Sequence, residues 1–153
     1  MSKPSFVYVT YIRTTPEKLW AALTDPDTIR KYWFGMTAEC DFKAGSPWAL
    51  RFADGRVADS GEILEADPPR RLVIRWRNEF KPELKAEGSS RCTFEIELAA
   101  YYPDFGGKAV KLTIHHVLEG EGDKFIAAVS GGWPKVVSNL KSLLETGDVA
   151  FKE

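Results

Sequence analysis

Hydrophobic and polar residues alternate along most of the chain between Thr37 and Leu118. A period of two is typical of strands that bury one face. Turn signals rich in Gly, Pro, Asp and Ser divide this region into six strands, and a further strand is predicted at Ser5–Arg13, which is rich in β-branched and aromatic residues. The turn signals lie at residues 43–46, 54–55, 67–69, 82–90 and 103–107.

One set of side chains falls on the inward face of the predicted strands, and charged residues such as Arg75, Glu95 and Lys111 fall on the other face. The inward set comprises Trp48, Leu50 and Phe52, then Leu72, Ile74 and Trp76, then Cys92, Phe94, Ile96 and Leu98, and finally Val110, Leu112, Ile114, His116 and Leu118. The pattern in residues 57–66 is less decisive, so its inward face stays unassigned. The sequence therefore predicts an antiparallel sheet that buries one apolar face.

Helical signals follow the first strand. Thr15-Pro16 has the chemistry of a helix start, with proline in the first turn. The segment Thr24–Asp27 ends that helix and caps a second short helix that runs through Trp33. Two brief helices therefore follow strand one.

A longer amphipathic helix is predicted near the C-terminus. Apolar residues recur at steps of three and four between Phe125 and Leu144, and Gly147 ends the pattern. Because proline removes a helical donor and clashes one turn back, Gly131-Gly132 and Pro134 predict a kink or restart near Trp133.

Composition narrows the class of protein. The length of 153 residues fits a single domain over 1–153, and 44% hydrophobic residues suffice for a sizeable core. With 21 basic and 22 acidic residues the net charge is -1, which excludes nucleic acid as a polyanionic partner. No apolar stretch suggests membrane insertion or a leader, so we expect a cytoplasmic protein with its two cysteines, Cys40 and Cys92, reduced.

Four motifs resemble one branch of the helix-grip superfamily, which includes birch-pollen-allergen-like and START-like domains and is also called SRPBCC. They are TPEKLWAALTDP at 15–26, YWFG at 32–35, GEILEADPPRRL at 61–72 with Trp76, and GWPKVVSNLKSLLETG at 132–147. The branch is named after the C-terminal domain of the activator of the ninety-kilodalton heat-shock-protein ATPase. The resemblance spans about residues 6–147.

The resemblance implies an α+β fold, in which a seven-stranded curved antiparallel sheet wraps a long C-terminal helix and two short helices follow strand one. In such folds the sheet and helix enclose an internal apolar cavity over part of their length. The named co-chaperone has an additional N-terminal domain for which 153 residues leave no room, so we do not expect its role to transfer with the name. The segments 81–91 and 99–108 look longer than the usual hairpins of this branch, so we expect them to distinguish this protein from other members.

The leading hypothesis is noncatalytic binding of a small hydrophobic or aromatic molecule, such as a lipid, between the sheet and the C-terminal helix. The same rings could instead be core, and for each of them both interpretations stay open. The predicted ligand-binding residues are Trp48, Leu50, Phe52, Trp76, Phe94, Ile114, His116, Phe125, Val129, Trp133 and Val137.

Few polar residues are candidates for chemistry. His116 is the inward polar residue of an apolar strand, so it could anchor a ligand or act as an acid or base. The alternative is a core histidine satisfied by a neighbour. His115 points to the opposite face and cannot chelate a metal together with His116, so we predict no metal site and no cofactor. Asp59, Glu62 and Glu65 are interpreted as surface charges and turn caps.

Two other functions stay open. One is a chaperone accessory in the stress response, which would contact the ninety-kilodalton heat-shock protein through an exposed face; Tyr101, Tyr102 and Phe105 form a candidate partner patch. The other is a cyclase- or hydrolase-like enzyme that depends on His116. The sequence contains no nucleophile elbow, phosphate loop or dinucleotide fingerprint. We expect a monomer or weak homodimer.

Overall fold

The computed structural model describes residues 3–102 and 105–152, and side chains outside 100–108. The patch predicted at Tyr101, Tyr102 and Phe105 and the tip of the 99–108 segment lie outside that part. The elements in chain order are β1 (Ser5–Ile12), α1 (Pro16–Thr24), α2 (Pro26–Tyr32), β2 (Thr37–Cys40), β3 (Pro47–Arg51), β4 (Val57–Asp67), β5 (Arg71–Asn78), α3 (Pro82–Lys85), β6 (Ser90–Tyr102), β7 (Phe105–Leu118) and α4 (Lys124–Thr146).

Within these described residues, seven strands form one antiparallel sheet in the order β1-β7-β6-β5-β4-β3-β2. The register shifts between Leu50 and Arg51, opposite β4, and again in β4 between Ile63 and Glu65. Such irregularities bend and twist a sheet. The curved sheet lies around α4, so the helix-grip fold predicted from the sequence is confirmed.

Alternation locates most of the core. Leu72, Ile74 and Trp76 of β5 are buried, as predicted. Two members of the predicted inward set are not buried: Phe52 is half-buried, and Leu98 has 60% of its surface exposed. The strand of Leu98 extends beyond β5, whose pairing with β6 reaches only to Glu95, so no residue of β5 pairs beside Leu98.

Helix α4 continues through Pro134 over 23 residues, so of the predicted kink or restart near Trp133 the restart is wrong and the kink stays a prediction. Trp133, Val136 and Val137 are all buried, and this packing holds the helix together at the position where proline removes one donor. The predicted end is confirmed, because Gly147 caps the helix in the left-handed conformation, with φ of 87°. No helix of the described residues is long and apolar enough to cross a membrane.

The start of α4 is held by a residue from the segment between α3 and β6. The Glu87 carboxylate accepts hydrogen bonds from the backbone N–H groups of Lys124, at 3.0 Å, and Phe125, at 2.9 Å. Gly122 passes so close that a Cβ there would lie 2.2 Å from the Glu87 carboxyl carbon. This capping fixes the short helix α3, which the turn signals did not predict, beside the first turns of α4.

Candidate functional site

Tryptophan rings fill the centre of the space between sheet and helix. Trp76 on β5, Trp133 on α4 and Trp33 after α2 form a triangle, with ring centroids 5.5 to 6.0 Å apart. Trp48 on β3 packs closer still, 4.3 Å from Trp76. The offset and edge-to-face arrangement is the favourable one for aromatic pairs.

These rings leave little space behind them. The inner cavity, deep between sheet and helix, has a volume of about 30 Å³. A space of this size holds roughly a water molecule or two. It is lined by Leu23, Ile29, Tyr32, Trp33, Phe42, Trp48, Leu50, Leu72, Ile74, Trp76, Phe94, Ile114, Trp133, Val136, Val137 and Leu140. Seven of the predicted ligand-binding residues therefore line a space that is almost closed.

A larger space lies on the other side of the same tryptophans. This outer cavity, of about 180 Å³, lies between α3, the first half of α4 and the end of β5. It is lined by Trp33, Asp59, Trp76, Asn78, Phe80, Lys81, Leu84, Phe125, Ala128, Val129, Gly132, Trp133 and Val136. Of the predicted set, Trp76, Phe125, Val129 and Trp133 belong here.

His116 takes part in a closed hydrogen-bond chain. The Trp133 indole N–H donates to His116 Nδ1 at 3.1 Å, and His116 Nε2 lies 2.7 Å from Ser90 Oγ. Because the Ser90 hydroxyl donates to the Trp76 carbonyl oxygen at 2.9 Å, its oxygen accepts from Nε2–H. The imidazole is thus neutral with one tautomer, and both ring nitrogens have protein partners.

Burial reinforces the neutral form. Desolvation, with a smaller contribution from His115, lowers the pKa of His116 from 6.5 to about 3. His116 lies on the lining of neither cavity, although its ring centroid is 5.1 Å from that of Phe125. This geometry is that of a core histidine satisfied by its neighbours. His116 could anchor a ligand, or act as an acid or base, only after one of its two hydrogen bonds had broken.

Asp59 is the polar residue that sequence reasoning missed. It was interpreted as a surface charge, but it is 8% exposed and lines the outer cavity beside Asn78. Burial raises its pKa from 3.8 to about 6; a hydrogen bond from Trp76 opposes this shift, and the Glu79 charge adds to it. Glu62 lies on the outer face and pairs with an arginine, as a surface charge does. The undecided inward face of β4 is the reason that Asp59 was overlooked.

Glu65, also interpreted as a surface charge, pairs with Arg71 at 3.2 Å. Phe52 follows the last residue of β3 and lines neither cavity. Its ring packs edge-on against Phe80 at 5.0 Å, with the Arg56 guanidinium 5.0 Å from the Phe52 centroid. Among the described side chains, no group of three or more His, Cys, Asp or Glu could hold a metal ion.

Solved structures share this architecture. An Hsp90 activator from Plasmodium falciparum has a TM-score of 0.70 at 23% identity, over 92% of this chain and 95% of the other. The Aha1 dimer from Colwellia psychrerythraea has 0.69 at 20% identity, over 94% and 98%. CalU16 from Micromonospora echinospora has 0.70 at 23% identity, over 94% and 77%. At these identities the likeness shows the fold alone.

No curated protein matches the chain. A family model does, over residues 13–145, which are most of the sequence and reach from the start of α1 into the last turn of α4. Its description is that of the branch whose motifs the sequence resembles. The chain belongs to the family of activator of Hsp90 ATPase homolog 1-like proteins.

Proposed function

We propose that this protein binds a small, largely apolar aromatic molecule in the outer cavity, without transforming it. The observation that supports the proposal is an aromatic-walled space of about 180 Å³ between α3, α4 and β5. Sites for small molecules in proteins are concave and mostly apolar, with few polar groups. The inner cavity of about 30 Å³ is too small to serve.

The size of the outer cavity indicates the size of the ligand. A buried apolar cavity of roughly 150 Å³ in another protein accommodates benzene. A space of about 180 Å³ therefore suits a single substituted ring. Affinity would come from removing the ring from water, at about 25 cal/mol per Å² of apolar surface.

Two adjacent glycines of α4 provide a matched test. Gly132 lines the outer cavity whereas Gly131 is exposed, and at both positions a Cβ would meet no atom within 4 Å. Gly132→Leu should fill the cavity, and Gly131→Leu should leave it open. Both changes raise helix propensity, so neither should unfold α4.

Toluene is the probe, titrated into nitrogen-15-labelled protein while the tryptophan indole signals are followed by NMR. We expect the signals of Trp33, Trp76 and Trp133 to move, and that of Trp20, outside both cavities, to stay. Gly132→Leu should abolish the shifts while Gly131→Leu preserves them. Equal shifts in the two variants, or none in the unaltered protein, would contradict the proposal.

A second candidate, from another class, is a chaperone accessory. It is supported by the family match and by the Plasmodium falciparum neighbour, which is an Hsp90 activator. On the exposed side of edge strand β1, Val7, Val9 and Tyr11 are 54%, 45% and 53% exposed. Such an apolar stripe suits a protein contact, either with a chaperone or with a second copy.

Stimulation of a bacterial Hsp90 ATPase by the purified protein tests this candidate. Val9→Lys should remove the stimulation, whereas Ala127→Lys, at an exposed position of α4, serves as the control for the added charge. Absence of stimulation by the unaltered protein would count decisively against the accessory role.

A further inference from the structure

We infer that the outer cavity selects aromatic molecules that carry a hydrogen-bond donor or a positive charge, and that Asp59 binds that group. This inference rests on the proposed function and names the ligand class. It starts from the one carboxylate among the residues that line the cavity.

Strand pairing places Asp59 inside. On β4 it lies directly opposite Leu50 of β3 and Asn78 of β5, and all three residues are buried. Residues paired across neighbouring strands point to the same face, so Asp59 points inward with them. Asp59 and Asn78 form the polar end of a cavity whose other walls are mostly aromatic and aliphatic.

The protein supplies Asp59 with few donors. The Asn78 amide nitrogen is 3.5 Å from Asp59 Oδ1, which is long for a hydrogen bond. The Asn78 oxygen accepts from the Lys81 backbone N–H at 2.9 Å, which fixes the orientation of the amide. The Trp76 indole also lies close enough to lower the pKa of Asp59, against the effect of burial. An ionised carboxylate has about four acceptor positions, so capacity remains for a ligand.

Lys81 is the cation among the residues that line the outer cavity, and its Nζ lies 5.7 Å from the Phe80 ring centroid rather than in an ion pair with Asp59. The arginines of β5 are engaged elsewhere. On β5, Arg75 pairs with Glu62 at 2.6 Å and Arg77 with Glu79 at 2.6 Å. No ion pair to Asp59 occurs in the part of the chain that the structure describes. Burial of a carboxylate without a counter-ion is unfavourable, and a donor on the ligand would relieve it.

The same arrangement discriminates between ligands. The ammonium or hydroxyl group of a ligand would bind Asp59 while the ring of the ligand packs against Trp76 and Trp133. A cationic ligand would also make cation–π contacts with the faces of these tryptophans. A ligand carboxylate placed beside Asp59 would meet a like charge, which disfavours aromatic and fatty acids in that orientation and leaves Lys81 as their one cationic partner in the cavity lining.

Four probes with the same ring test the inference by NMR titration at pH 8: toluene, benzyl alcohol, benzylamine and benzoate. Benzylamine should bind most tightly, then benzyl alcohol, then toluene, and benzoate should bind least. Asp59→Asn should weaken benzylamine by about tenfold or more, the effect of one charge-assisted hydrogen bond, and change toluene less than twofold. The matched control Glu62→Gln, on the outer face of β4, should change neither.

The outcomes separate the two proposals. If toluene does not bind, the proposed function fails. If toluene binds but benzylamine binds no tighter, or benzoate binds as well, the selectivity assigned to Asp59 is overturned while the cavity function stands. Benzylamine binding that survives Gly132→Leu would place the amine outside the cavity and would also overturn the inference. The four probes decide the matter on the unaltered protein even if a variant fails to fold.

Discussion

Replacing Asp59 by asparagine should stabilise the protein at neutral and alkaline pH. Most single substitutions destabilise, so the sign is informative. Asparagine keeps the shape of the side chain and an acceptor oxygen, but it removes the charge of a residue that is 8% exposed and has no counter-ion among the described residues.

The magnitude follows from the pKa of Asp59, which burial raises from 3.8 to about 6. A raised pKa means that the folded state favours the protonated acid. The favourable contribution is complete below pH 3.8 and is lost as the pH rises through about 6. At about 1.4 kcal/mol for each tenfold change in a proton equilibrium, the ionised group costs about 3 kcal/mol at pH 8. Replacement by asparagine should recover about 1 to 3 kcal/mol of this cost. The recovery can be incomplete because an amide N–H of the new side chain would face the Asn78 amide.

Urea unfolding of the two proteins at pH 8 and pH 4 measures the effect. The difference in free energy of unfolding should be largest at pH 8 and fall towards zero at pH 4. Contributions from other groups, including His116, cancel in this difference because both proteins contain them. Glu62→Gln, which removes a half-exposed carboxylate from the outer face of the same strand, should change stability by less than about 0.5 kcal/mol. A destabilised Asp59→Asn protein at pH 8, or a gain that persists at pH 4, would refute the reasoning.

Three further predictions concern the core and the start of α4. Trp133→Ala should cost about 3 to 5 kcal/mol in urea unfolding, because it empties the centre of the aromatic cluster; a loss under about 1 kcal/mol would mean that the ring contributes little. The lowered pKa of His116 gives stability that is complete above pH 6.5 and is lost as the pH falls towards 3. Acidification from pH 7 to 4 should therefore lower the free energy of unfolding by about 3 kcal/mol through this residue alone. In the His116→Gln variant the loss over the same pH range should be smaller by that amount. Glu87→Ala should lower the free energy of unfolding by about 1 to 3 kcal/mol by removing the acceptor for two N–H groups, with exposed Glu121→Ala as the unchanged control. Equal losses in these two glutamate variants would reject the cap.

Much of the fold could be predicted from local pattern. Alternation over residues 110–118 is strict because β7 buries a single face, and the turn signals mark real strand ends. In β5 the alternation is interrupted at Val73, which is buried on the opposite face from Leu72 and Ile74. The sequence pattern does not predict helix α3, because four residues are too few to show a helical period. Leu98 was misplaced because alternation specifies a face but not how far the neighbouring strand extends along it.

The site could be predicted only in part. Sequence pattern identified Trp76, Phe125, Val129 and Trp133, which line the outer cavity. It could not indicate that the tryptophans nearly fill the inner cavity, since ring orientation and the residual volume between rings depend on packing. Asp59 was missed because the register shift next to Leu50 and the weak alternation of β4 conceal which face its residues occupy.

The contrast between the two buried polar groups indicates where specificity resides. His116 has a partner for each ring nitrogen, so it orders Trp133 against the sheet and leaves nothing for a ligand to satisfy. Asp59 has spare acceptor capacity and faces a space large enough for a ring. Because Trp76 and Trp133 form the boundary of both cavities, the ordered core supplies a fixed aromatic floor to the outer cavity. In the proposed function, selection among ligands would then fall to the carboxylate at its polar end, which the folded protein leaves short of donors.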